Sequence, residues 1–82
     1  MKVVVRVIDV NTGNPIVGAA VALDGRTGTT GSDGTVAFDV PRGAYTLTVS
    51  KDGYDTEEVR IRIVRERTIT IPLTPLVGVM AL

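Results

Sequence analysis

The sequence predicts an all-β protein, a seven-stranded (six to eight) antiparallel Greek-key β-sandwich. Three observations point to it. Fourteen Val, six Ile and eleven Thr stand against one Phe, two Tyr and no Trp, and β-branched side chains suit a pleated surface better than a helix. Apolar and polar residues alternate at period two along most of the chain, with no sustained helical period. Nine Gly and four Pro break this alternation into short segments, with a turn about every 8–12 residues. Eighty-two residues suffice for one small domain and leave no room for a separate substrate domain.

The elements follow in order. Residues 2–10 alternate Val3, Val5 and Val7 against Arg6, and Asn11-Thr12-Gly13-Asn14-Pro15 turns the chain. Residues 19–23 present Ala19, Val21 and Leu23 to one face and close at Asp24-Gly25. A short extended piece and a tight turn fill 27–34. Residues 35–40 point Val36, Phe38 and Val40 inward, and Pro41-Arg42-Gly43 ends them. Residues 44–50 send Tyr45, Leu47 and Val49 in and Thr46, Thr48 and Ser50 out, before the turn Lys51-Asp52-Gly53-Tyr54. Residues 56–64 alternate Val59, Ile61 and Ile63 with Arg60 and Arg62; Arg65-Glu66-Arg67 reads as a charged hairpin tip, and 68–73 alternate Ile69, Ile71 and Leu73 with Thr68 and Thr70. The expected core is Val5, Val7, Val21, Leu23, Phe38, Tyr45, Leu47, Val49, Ile61, Ile63, Ile69 and Ile71.

Composition excludes several chemistries. With no Cys there is no disulfide, thiolate nucleophile or Cys-ligated metal, and with no His there is no Ser-His pair and no usual zinc ligand. No catalytic residue, cofactor site or metal site is expected. Nine basic and nine acidic residues cancel, so no global field draws the chain to nucleic acid or membrane. The longest charge-free stretch, 68–82, is interrupted by Pro72 and Pro75 and falls short of the ~20 residues a membrane-spanning helix needs. Nothing at the start reads as a signal peptide, because Arg6 ends the first apolar run.

Chemistry-bearing residues have plain readings first. Gly13, Gly25, Gly34, Gly43 and Gly53 sit where tight turns favour positive φ. Asp24, Asp33 and Asp39 do not match a calcium loop, and no Glu closes the set. Arg60, Arg62, Arg65 and Arg67 form a candidate anion patch; base-stacking aromatics are lacking and Glu57, Glu58 and Glu66 lie nearby, so a solvated, cross-paired face is the preferred reading. Tyr45 and Tyr54 read as core or corner residues whose hydroxyls reach the backbone.

In order, these motifs resemble the carboxypeptidase regulatory-like domains, a transthyretin-like (prealbumin-like) and Ig-like sandwich family. The resemblance rests on Val5-Arg6-Val7-Ile8-Asp9, Thr12-Gly13-Asn14-Pro15 and Gly18-Ala19-Ala20-Val21. It continues in Thr30-Gly31-Ser32-Asp33-Gly34 with Phe38, in Pro41-Arg42-Gly43-Ala44-Tyr45-Thr46-Leu47, and in Lys51-Asp52-Gly53-Tyr54. It implies an accessory, non-catalytic module of an extracellular or surface-associated protein. Relatives with chemistry do not fit: zinc carboxypeptidase catalysis belongs to a neighbouring domain. Hydroxyisourate hydrolases need His and a characteristic terminal tetrapeptide where this chain has Val79-Met80-Ala81-Leu82. An isopeptide cross-link from Lys2 lacks an Asn or Asp after Asp55.

The resemblance ends near Leu73, which divides the chain into a domain at 1–74 and an apolar tail at 75–82. An exposed uncharged segment of strand length is an aggregation hazard, so the tail packs on its own sandwich, adds to a neighbouring subunit, or belongs to a longer chain. Self-association through Leu76, Val77, Val79, Met80 and Leu82 is the expectation, as a homo-oligomer or with a protein partner. The alternative is a module that recognises glycan or peptide, which the scarcity of exposed aromatics disfavours. Seven Arg against two Lys are compatible with a thermostable, heat-adapted protein, though not diagnostic of one.

Overall fold

A computed structural model describes residues 1–76. They form seven strands and no helix: β1 (Lys2–Asp9), β2 (Ala20–Leu23), β3 (Arg26–Thr29), β4 (Thr35–Asp39), β5 (Gly43–Ser50), β6 (Glu57–Ile63) and β7 (Arg67–Leu73). Two sheets face each other, one ordered β4-β1-β7 and the other β3-β2-β5-β6. The alternation read from the sequence puts Val3, Val5, Val7, Ile69, Ile71 and Leu73 of the first sheet against Val21, Leu23, Leu47, Val49 and Ile63 of the second, all buried.

Several details differ from expectation. Arg65 and Glu66 do not cap a hairpin, because β6 and β7 belong to opposite sheets. The chain crosses the sandwich there, and β7 therefore enters the first sheet from the end at which β1 begins. It pairs with β1 in parallel, from Val3↔Arg67 to Asp9↔Leu73, while the other four pairings are antiparallel. Tyr45, on β5 beyond the reach of the β2 register, and Ile61, on the edge strand β6, are only half-buried against the core, whereas Val3, Ile16, Ala19, Val40 and Leu73 join the buried set. Among the turn glycines, Gly13, Gly34 and Gly53 take positive φ; in the β2–β3 turn Asp24 (φ 52) does so instead of Gly25, and Gly43 lies inside β5.

The two long sides of the sandwich are closed differently. On one side β3 lies against β4, and a Cβ on Gly28 would stand 2.8 Å from Val36 Cγ2 and 3.4 Å from Phe38 Cζ. Glycine at this position lets the two edge strands approach. On the other side β6 and β7 are held at their extremities. Arg67 Nη1 donates to the Arg62 carbonyl at 3.4 Å. At the opposite end Asp55 N donates to Thr74 O and Leu76 N to Gly53 O, each at 2.9 Å.

Loop anchoring is carried by a few polar groups. Thr30 is the buried polar side chain among the described residues; its hydroxyl donates to Ile16 O at 2.7 Å and accepts from Ala19 N at 2.8 Å. Asp9 accepts from Asn11 N and Thr12 N through Oδ1 and from the Tyr54 hydroxyl through Oδ2 at 2.7 Å, joining the end of β1 to the β5–β6 connection. No buried side-chain polar atom among the described residues lacks a partner.

Candidate functional site

The strand register defines two ends of the sandwich. One holds the start of β1, the end of β4, the β2–β3 and β4–β5 turns and the β6–β7 crossing; the other holds the 10–19, 30–34 and 51–56 loops and residues 74–76.

Leu76 stands at the second end. The antiparallel bridge Tyr54↔Pro75 and the Leu76 N–H to Gly53 carbonyl bond seat the chain against the β5–β6 connection. Its side chain is nonetheless 57% exposed. It borders a cleft of ≈ 400 Å³ lined also by Gly18, Ser50, Lys51, Asp52 and Tyr54. Val10 and Val17, exposed in the β1–β2 loop, are at the same end. Val77, Val79, Met80 and Leu82 lie outside the described residues.

Of the candidate arginines, Arg62, Arg65 and Arg67 gather at the first end, with Arg60 at the middle of β6. Arg60 and Arg62 project from the outer face of β6, opposite Thr46 and Ala44 of β5. Arg65 lies in the crossing and Arg67 opens β7, its guanidinium on the Arg62 carbonyl. The cross-paired face expected for this row does not form. Glu57 and Glu58 lie at the other end of β6, opposite Val49 and Thr48, and the ion pair found among the described residues joins the Met1 ammonium to Asp39 at 2.9 Å. A member missing from the sequence reading is Arg42. Together with Gly43, Ala44, Arg62 and the exposed Val64 it lines a second cleft of ≈ 330 Å³. Its position in the turn before β5 carried no signal by itself; the Ala44↔Arg62 pairing brings the two arginines to one place.

The remaining candidates are engaged structurally. Asp24 accepts from Thr46 N at 2.9 Å, Asp33 caps Thr35 through its amide and hydroxyl, and Asp39 holds the chain's amino group. No group of three acidic side chains among the described residues comes together to hold a metal. The Thr35 hydroxyl holds the Asp33 carboxyl below the usual range, as the Met1 ammonium does for Asp39. Tyr45 donates to Pro41 O at 2.6 Å, as expected of a corner tyrosine, whereas Tyr54 reaches the Asp9 carboxylate rather than backbone. That bond lowers the Asp9 pKa and raises that of Tyr54. No helix among the described residues is long and apolar enough to cross a membrane.

Comparison with known proteins agrees with this architecture. The sequence model of the carboxypeptidase regulatory-like domain matches residues 2–74. No curated protein matches the chain. Among solved structures, the 5-hydroxyisourate hydrolase of Klebsiella pneumoniae superposes with a TM-score of 0.74 at 19% identity, covering 92% of this chain and 91% of that one. A chain of a type II cohesin–X-dockerin complex from Acetivibrio cellulolyticus gives 0.73 at 24% identity, over 100% of this chain and 61% of that one. The C-terminal domain of the Caf1A usher gives 0.56 at 9% identity, over 92% and 98%. At these identities the likeness is one of fold.

Proposed function

We propose that this chain, which belongs to the carboxypeptidase regulatory-like domain family, is a non-catalytic structural module, self-associating through its apolar C-terminal segment in an assembly at a cell surface, in a fibre or in a particle. One observation carries the reading. Leu76 is fixed by its backbone to Gly53 yet leaves most of its side chain in water, and it opens a run, 76–82, with no charged residue. Covering Leu76, Val77, Val79, Met80 and Leu82 removes apolar surface worth about 25 cal/mol per Å² from water, set against the cost of association. The extracellular or surface setting is inferred from the family.

Protein recognition is supported by the company the fold keeps. One structural neighbour belongs to a cohesin–dockerin complex, and another is an usher domain whose surface hydrophobic clusters matter for F1 antigen assembly. The hydrolase neighbour shares 19% identity, and the lack of His in this chain, the usual base near neutral pH, supports the non-catalytic reading. Both tyrosines are half-buried with their hydroxyls engaged, so neither offers the free aromatic face a carbohydrate platform uses. The test is sedimentation of the full chain beside a chain ending at Thr74. The full chain is expected to associate and the shortened one to be a folded monomer; a full chain monomeric at high concentration overturns the reading.

A further inference from the structure

Formal charge is zero over the whole chain, but the strand register sorts the charges lengthwise. At the end where β1 begins stand Lys2, Arg42, Arg62, Arg65 and Arg67, all exposed. Of the acidic groups there, Asp39 is taken up by the Met1 ammonium, and Asp24, in the β2–β3 turn beside the exposed Arg26, accepts from the Thr46 amide, which leaves Glu66. At the opposite end stand Asp33, Asp52, Asp55 and Glu57, with Lys51 and, on β1 level with Thr35, Arg6 as the cations. Asp9, also at that end, is tied to Tyr54. Each end also carries exposed apolar surface: Val64 (45% exposed) at the basic end, in the cleft with Arg42 and Arg62, and Leu76 (57%) at the acidic end, in the cleft with Asp52 and Gly18.

We propose that these ends recognise each other between copies of this chain: the acidic end of one copy, led by Leu76 with Asp52 and Asp55, docks on the basic end of the next, at Val64, Arg42 and Arg62. The inference rests on the self-association reading and names the surface that receives the tail-bearing end. Opposite potentials on complementary patches steer encounter and fix orientation. End-to-end contact between like ends would set arginine against arginine or carboxylate against carboxylate, which disfavours a two-fold dimer. A head-to-tail contact instead joins two different surfaces, so it propagates into a ring or an open filament. Exposed charges are screened by salt over about 8–10 Å at ordinary ionic strength, so assembly weakens as salt is added.

A charge exchange tests this. Two doubly substituted full-length chains are prepared, Arg42→Glu with Arg62→Glu, and Asp52→Arg with Asp55→Arg. All four positions are exposed, and circular dichroism melting verifies that each variant folds. Either variant alone sets like charges against each other at the contacting positions 42, 62, 52 and 55 and is expected to associate on the order of tenfold more weakly than the unmodified chain. An equimolar mixture restores association, because each variant's altered end meets an opposite partner on the other; sedimentation velocity at low and high salt reads both. Association unchanged in the single variants, or not restored by mixing, overturns the end-to-end contact. If such charge-indifferent association is lost in the chain ending at Thr74, the tail reading survives without it, whereas an unmodified chain that never associates overturns both.

Discussion

Thr30 is the residue on which most of the loop geometry at one end depends. Its hydroxyl serves the Ile16 carbonyl and the Ala19 amide together, and its buried position leaves those groups no access to water. Thr30→Val keeps the shape and orphans both, so a loss of about 2–4 kcal/mol is expected in urea denaturation. Thr30→Ser, which keeps the hydroxyl, is expected to cost about 1 kcal/mol. The Asp9–Tyr54 pair makes a pH-dependent contribution at both extremes. The Asp9 carboxyl lies below its ordinary range, chiefly through the Tyr54 hydroxyl and then the Asn11 amide. Its contribution is therefore present above the unfolded carboxylate value of ~3.9 and lost as pH falls through the folded one. Tyr54 is raised by the same bond; its contribution is complete below an unfolded value of ~10 and lost as pH climbs through the folded one. Melting temperature against pH should fall at both extremes, with Tyr54→Phe showing weaker falls; an identical profile in the variant would refute the bond. The sequence showed Thr30 and Tyr54 as motif members, but their partners are 11, 14 and 45 residues away, beyond any local pattern.

At the scale of elements, strand positions and inward faces were legible because period two is a local property and the faces are strongly contrasted. Pairing was not. Nothing in Arg65-Glu66-Arg67 distinguishes a hairpin from a crossing between sheets, and the parallel β1–β7 ladder follows from the crossing alone. The arginine patch was legible in part for the same reason: Arg60 and Arg62 share a strand, while Arg42 arrives through the β5–β6 register. Two glycines test the element geometry. Gly34 has φ +77, and a Cβ there would stand 2.9 Å from the Val7 carbonyl oxygen and 2.7 Å from Pro15 Cβ. Gly34→Ala therefore combines left-handed strain with a backbone collision and is expected to cost at least ~2 kcal/mol by chemical denaturation. Gly28→Ala meets only the Val36 and Phe38 side chains and is expected to cost less, about 1–3 kcal/mol, by wedging β3 away from β4.

For the whole molecule, composition foretold the core better than it foretold the field. The cancelling totals imply no field, and the topology instead separates the charges along the strands. Smallness sets the margin: a domain of this length buries only about 60–65% of its extended surface. Phe38, the single phenylalanine, packs in the core, and Phe38→Ala at about 3–5 kcal/mol approaches total stability at the low end of the usual ~5–15 kcal/mol. Substantial unfolding at room temperature is expected by circular dichroism. The parallel ladder also has a mechanical consequence. Tension applied through the leading residue of β1 and the trailing residue of β7 runs along both strands in opposite senses, because the two leave the sandwich at opposite ends. The bonds between Val3↔Arg67 and Asp9↔Leu73 are then loaded in shear and must yield together, whereas pulling Lys2 away from Arg67 at one end would peel them singly. A tethered module of this kind should resist stretching along its length at forces well above those needed to unzip it sideways.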